Sequence, residues 1–363
     1  MLSKIITYSF YLLFMLTPLI WYPYSFELFE FNKMIFVYIL TIIITGAWIL
    51  KMISEKRIRL CRTPLDIPLL LFLGANILST IFSIDPHTSI FGYYSRSNGG
   101  LLSIISYLLV YYAFVSNIDK EQALKILKFS LFGGLAVALW AIPEHFGLSP
   151  SCLILRGELG ASCWVQDVQA RVFATLGQPN WLAAYLGMLI FPAFFFLVNA
   201  KKTIERNLFA AILVAMYMAF TFTYSRGAAL GLILGFTILI LLVIIPDLDL
   251  RFKSLRKYSQ YITSFKEIPN NKILAIVLAI FLLVNVVYGS ALTRFQLTQL
   301  FPQPAQPVAK SEQRAAGITQ LENGGTESSQ IRLIVWKGAL DIFKHYPIFV
   351  SGVETFAYSY YQF

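Results

Sequence analysis

Charge is the scarcest commodity in this 363-residue chain: only 13% of its residues are Asp, Glu, Lys or Arg, whereas 57% are hydrophobic. Soluble domains carry about 25% charged residues, so this composition cannot clothe a water-soluble surface. Mean hydropathy is +0.67. Histidine and cysteine are also rare, at three each. His87, His145 and His345 stand apart in sequence, and no CxxC pair, HExxH, GxSxG or phosphate-binding Walker loop is present. Those absences remove the common sequence signatures of zinc, serine-hydrolase and nucleotide chemistry. No Asp, Glu, Lys or His lies at the centre of any long apolar run, which argues against a proton-coupled transporter with midplane relays. Asn76 and Asn285 are the polar intruders there, and each suits a hydrogen bond within or between helices.

What is present is a series of apolar segments. Hydropathy predicts nine spans, at 5–21, 34–53, 65–83, 101–115, 124–142, 181–198, 207–222, 228–245 and 273–288. The fold class expected is an all-α polytopic membrane protein. The first segment lacks a small-x-small cleavage site, and Trp21-Tyr22-Pro23-Tyr24 reads as an interfacial aromatic belt, so it counts as a span. Lysine-rich loops cluster on one side: Lys51 to Arg62, Lys120 to Lys128, Lys201 to Arg206, and Arg251 to Lys272. The positive-inside rule makes that side cytoplasmic and puts the N-terminus inside. The net charge of +10 is then mainly topology, with possible attraction to anionic membrane lipid, and not a nucleic-acid footprint.

The opposite loops carry few cations, and arginine outnumbers lysine there: Arg96, Arg156, Arg171, Arg226, Arg294, Arg314 and Arg332 against Lys33, Lys310, Lys337 and Lys344. Arg226 sits between two apolar runs in Thr221-Phe222-Thr223-Tyr224-Ser225-Arg226-Gly227, the tip of a predicted membrane hairpin. A guanidinium there either snorkels as an anchor or binds an anion through its planar fork of donors. Cys152 and Cys163, in the polar loop 143–179, suit a disulfide on an oxidising side, while Cys61 falls inside and should be free. Gly92–Gly100 reads as a connecting loop. Gly227, Gly231 and Gly235 recur every fourth residue and predict close helix packing. The domain division expected is a bundle over 1–289 and an outer loop over 290–363. That loop holds an amphipathic helix at 331–343, with Leu333, Trp336, Leu340 and Phe343 on one face.

Three segments together resemble the O-antigen ligase and Wzy-type polymerase family of bacterial envelope glycosyltransferases. They are Arg171 through Gly177-Gln178-Pro179-Asn180 to Tyr185; Tyr224-Ser225-Arg226-Gly227-Ala228; and Arg332 through Trp336 to Leu340, followed by Pro347 to Phe356. The resemblance is close over about residues 171–363. It implies a GT-C-like fold in the bacterial cytoplasmic membrane. The implied reaction is metal-independent and cofactor-free transfer of a glycan from an undecaprenyl-diphosphate carrier to an acceptor hydroxyl on lipid A-core, another glycan or a protein. It further implies that Arg226 and Arg332 bind the diphosphate, with Arg171 supporting them or contacting sugar. Gln178 and Asn180 act as polar orienters or form a helix N-cap. Two departures stand out. A glycine of the family's G-x-G pattern is replaced in Val350-Ser351-Gly352, and the family's general-base histidine would lie beyond Phe363. The expectation is therefore an enzyme cut short and inactive as this chain, or a non-catalytic partner that binds or translocates the lipid-linked glycan. Reporter fusions test the topology: one placed after Lys202 should report a cytoplasmic location and one after Asn98 an extracytoplasmic one. The reverse pattern would invert the assignment.

Overall fold

A computed structural model describes residues 1–244, 271–292, 327–347 and 351–360. All regular structure among the described residues is helical. In chain order the helices are α1 (Leu2–Leu16), α2 (Glu30–Glu55), α3 (Asp66–Ile81), α4 (Pro86–Phe91), α5 (Leu101–Asn117), α6 (Lys120–His145) and α7 (Pro150–Arg156). They are followed by α8 (Pro179–Asn199), α9 (Thr203–Phe222), α10 (Arg226–Ile244), α11 (Asn271–Tyr288), α12 (Glu327–His345) and α13 (Phe356–Tyr360). Each apolar run expected to span coincides with one of them. Among the described residues, five stretches are long and apolar enough to cross a membrane: Leu2–Leu19, Glu30–Glu55, Lys120–His145, Pro179–Asn199 and Thr203–Phe222. Shorter apolar helices occupy Asp66–Ile81, Leu101–Asn117, Arg226–Leu239 and Ala275–Tyr288.

Large apolar side chains point outward on many of these helices, among them Ile42, Ile67, Leu71, Met188, Leu234 and Leu282. In water this would be an aggregation surface; in hydrocarbon it is the expected face of a membrane helix. The chain is a multi-pass membrane protein.

Two compact units form. The first contains Met1–Ser9, Glu30–Asp119 and Gln303–Phe363. Within it α2 packs on α5, and α5 also meets α3 and α4. Lys51 is almost fully buried and donates from Nζ to Asn117 Oδ1 at 3.0 Å. The hydroxyls of Tyr111 and Tyr112 reach Thr63 Oγ1 and Asp66 Oδ1 at 2.9 and 3.2 Å. Asp85 caps α4 and accepts from the Thr88 hydroxyl at 2.7 Å, which holds its carboxyl below the usual carboxylate range. On α12, Trp336, Leu340 and Phe343 are exposed, which leaves an apolar face available to a membrane surface. The helix begins at Glu327, ahead of the start expected at residue 331. The side chain of Leu333 lies outside the described set, as do Val350, Arg251, Arg294 and Arg314.

The second unit contains Phe10–Phe29 and Lys120–Pro302. Its core is the α6–α8–α9 triplet, where Leu131, Leu182, Leu186, Ile190, Ile212, Leu213 and Met216 have no solvent exposure. Helix α11 lies along α9, and α10 along α8. Asn285 bonds across that seam to the Tyr217 hydroxyl, whereas Asn76 bonds within its own helix to Phe72 O at 2.8 Å. The glycine stripe on α10 behaves differently from expectation. A Cβ at Gly235 would strike the Phe191 ring at 2.4 Å, but Gly227 and Gly231 face open space among the described residues. Only one turn of the stripe is used for helix packing there, because α8 approaches α10 at Phe191.

In the first unit, the backbone of Ser351 accepts from Ile84 N–H at 2.9 Å, and Ser89 Oγ donates to Val353 O at 2.8 Å. Gly352 has φ +123, and a Cβ there would lie 2.0 Å from Ser83 Oγ. Gly352→Ala should therefore destabilise the protein by about 1–3 kcal/mol and lower its thermal midpoint in detergent. An unchanged midpoint would show that this joint is not formed.

Candidate functional site

The tip between α9 and α10 is built from its own backbone. Thr223 Oγ1 donates back to Phe220 O at 2.7 Å, and Tyr224 takes a left-handed conformation with φ +47. That reversal lets the Ser225 carbonyl accept the first bond of α10, from Ala229 N–H at 3.0 Å. Arg226 is then the first residue of the helix and is exposed. The first N–H groups of α10 are orphaned by geometry, so Arg226 adds a full charge to an end already favourable to anions.

A second strand of the site comes from the segment before α8. Arg171 Nε donates to Thr223 O at 3.0 Å, and its terminal nitrogen donates to Asn180 Oδ1 at 2.9 Å. Val172 N–H donates to Phe222 O at 3.2 Å. Arg171 thus ties the α8 start to the hairpin tip. Its half-buried setting lowers the guanidinium from its ordinary value, by desolvation, but from so high a start that it stays charged at any working pH. Gln178 occupies the N-cap position of α8, with Pro179 at the first helical turn, yet its side chain makes no capping bond. The structure thus brings Arg171, Asn180 and the Arg226 turn together. Arg332 lies in the other compact unit, and its side chain is outside the described set.

Sequence reasoning passed over three residues here. Glu144, near the end of α6, has no solvent exposure. Its Oε2 accepts from Ala174 N–H at 2.9 Å, and its Oε1 accepts from the Ser149 and Ser151 hydroxyls at 3.4 Å each. Ala174 is itself left-handed, with φ +49, so this carboxylate fixes a strained turn three residues from Arg171. His145 stacks on Phe222, with ring centres 3.9 Å apart, and its Nδ1 meets Gln169 O at 3.0 Å. The Tyr224 hydroxyl donates to Tyr288 O at 2.9 Å, linking the tip to α11. No periodicity or motif marks Glu144 or His145, and the motif that contains Tyr224 does not reveal its hydroxyl's partner; Pro143-Glu144-His145 reads as the edge of a loop until α6 is seen to continue through it.

Cys152 and Cys163 are joined, with Cα atoms 5.4 Å apart, and Trp164 Nε1 donates to Ser149 Oγ at 3.3 Å. The bridge therefore closes a small loop directly after the segment whose Ser149 and Ser151 hydroxyls donate to Glu144. Cys61 is free and exposed.

Beneath the tip, between α9, α10 and α11, lies a cavity of about 470 Å³. Phe220, Leu232, Ile233 and Val286 give it apolar walls, while Ser225, Thr221 and Asn285 add a few polar groups. A cationic tip above an apolar cavity is an amphiphile's negative image.

Residues 209–363, from within α9 onward, match the sequence model of the family described as O-antigen ligase. Over those residues the chain is similar to the O-antigen ligase family. No curated protein and no solved structure matches the chain. The O-antigen ligase domain begins upstream of the Arg226 tip and includes Arg332. A match to an O-antigen ligase domain supports a general role in glycan transfer for polysaccharide biosynthesis.

Two perturbations test the architecture. Glu144→Ala should leave the Ala174 N–H and two hydroxyls without their acceptor and cost about 1–3 kcal/mol per orphaned group, whereas Glu144→Gln should recover most of that stability. Equal effects of the two would show that the carboxylate does not bridge these groups. Reducing Cys152–Cys163 should cost about 3 kcal/mol for a loop of this size, read as a fall in thermal midpoint with dithiothreitol that is absent in the Cys152→Ser/Cys163→Ser variant.

Proposed function

We propose that this protein transfers a glycan from an undecaprenyl-diphosphate-linked donor to an acceptor hydroxyl at the outer face of the bacterial cytoplasmic membrane. The observation that carries the proposal is Arg226: an exposed guanidinium on the first turn of α10, above an apolar cavity. A diphosphate leaving group accumulates charge as the glycosidic bond breaks. Fixed cations and orphaned N–H groups stabilise that charge most when they need not reorganise. Arg226 is the direct diphosphate ligand in this reading. Arg171 is held by Thr223 and Asn180 and adds positive field while keeping the tip in place. The cavity would take the first isoprenoid units. Arg332 retains the diphosphate-binding role implied by its motif, and Gln178 a role near the start of α8. No step requires a metal or organic cofactor.

The test is binding of undecaprenyl diphosphate to the purified full-length gene product in nanodiscs, together with glycan transfer in membranes. Arg226→Ala should weaken diphosphate binding by about tenfold or more, with Arg226→Lys intermediate, since lysine supplies charge without the fork. Transfer should fall in parallel. Unchanged binding in Arg226→Ala would defeat the assignment.

A further inference from the structure

The loop Gly92–Gly100 is a built structure, and the C-terminal segment is docked against it. Arg96 and Ser97 N–H both return to Tyr93 O, at 2.9 and 3.0 Å. From opposite sides Tyr38 and Tyr107 donate their hydroxyls to Ser97 O and Asn98 O, each at 3.0 Å. Asn98 Nδ2 donates to Glu30 Oε2 at 3.0 Å, and Arg96 Nε lies 3.6 Å from the same oxygen. The docked segment brings Glu354 over Gly99: a Cβ on that glycine would fall 1.9 Å from Glu354 Oε1.

The two sides of this joint share an unusual property. Among the described residues five non-glycines have positive φ: Lys56, Ser97, Ala174, Tyr224 and Glu354. Ala174 and Tyr224 shape the Arg226 tip, while Ser97 belongs to the Gly92–Gly100 loop and Glu354 lies over Gly99 of the same loop. Strain of this kind costs about 1–3 kcal/mol per residue and persists where the surroundings enforce it, often at binding sites. Hydrophobic packing does not explain it, because Glu354 is exposed and its carboxylate has no hydrogen-bond donor among the described residues. In the same loop Tyr94 is 67% exposed, and in the docked segment Tyr358 is 40% exposed; Tyr93 meets both rings at ring-centre distances of 4.7 and 6.2 Å. An open acceptor carboxylate, an amide and a guanidinium at a rim of tyrosine rings match a saccharide, whose hydroxyls donate and accept and whose C–H faces stack on aromatic rings.

We propose that this joint is a saccharide-binding subsite, with Glu354 accepting from sugar hydroxyls and Tyr94 and Tyr358 offering ring faces. The proposal rests on the glycan-transfer reading above and locates one place where a glycan is held. The saccharide comes from the donor or from the acceptor; the chemistry of recognition is the same.

The experiment measures binding of two probes to the full-length gene product in nanodiscs by saturation-transfer NMR. One is the free glycan released by mild acid from the cell's own undecaprenyl-diphosphate pool, and the other is the saccharide of its mature envelope glycolipid. Wild type should bind at least one of them, which also names the source. Glu354→Gln should weaken that binding by about tenfold, the loss expected of one charge-assisted hydrogen bond. Tyr94→Ala should also weaken it, whereas Tyr94→Phe should retain it. Glu354→Gly removes the carboxylate while relieving the left-handed backbone, so loss of binding in this variant cannot be attributed to unfolding. Undecaprenyl diphosphate without sugar is the control, and its affinity should be unchanged in all four variants. Binding of neither probe, or equal binding by wild type and Glu354→Gly, overturns the subsite. Loss of control binding in Arg226→Ala with saccharide binding intact separates the two readings.

Discussion

Glu144 is enclosed without access to solvent, and a carboxylate in that position is tolerated only where donors surround it. It finds them in the Ser149 and Ser151 hydroxyls and the Ala174 N–H, which belong to two different loop segments. The end of α6, the segment that leads into the disulfide-closed loop and the turn before α8 are thereby made one piece. Arg171 lies three residues from that turn and carries the constraint across to Thr223 and the hairpin tip. The exposed Arg226 is placed by a chain of buried polar contacts and not by its own interactions.

Under the proposed function this arrangement meets a conflict that faces any membrane protein holding a charged lipid. A diphosphate needs fixed cations, but loose cations at a bilayer surface snorkel and spread over many rotamers. Here the tip is reached from three directions: by Arg171 through Thr223, by Val172 through Phe222, and by Tyr288 through Tyr224. His145 stacked on Phe222 fills the remaining flank. Preorganisation of this kind is what makes electrostatic stabilisation effective when charge develops.

Much of the helical order was legible in the sequence, because a bilayer demands that each crossing segment satisfy its own backbone. Hydropathy alone placed nine apolar helices, and the motif resemblance led to the same family that the comparison then matched over residues 209–363. The glycine stripe of α10 was over-read. Spacing shows that a neighbour can approach, but only Gly235 meets one, at Phe191. Gly92–Gly100 was under-read, since hydrogen bonds from Tyr38 and Tyr107 and the contact with Glu354 come from residues far away in sequence.

The sequence by itself therefore determined what is local: which segments are apolar enough for lipid, where arginine interrupts them, and which short motifs recur in the ligase family. Tertiary structure alone decided the partnerships. Nothing in Pro143-Glu144-His145 announces a buried carboxylate, because burial depends on which loops fold over it. Nothing in Arg171 names Thr223 as its acceptor, since the two lie 52 residues apart. Periodicity reports a residue's relation to water and lipid. Hydrogen bonding between distant segments depends on directions and distances that exist only once the chain has folded.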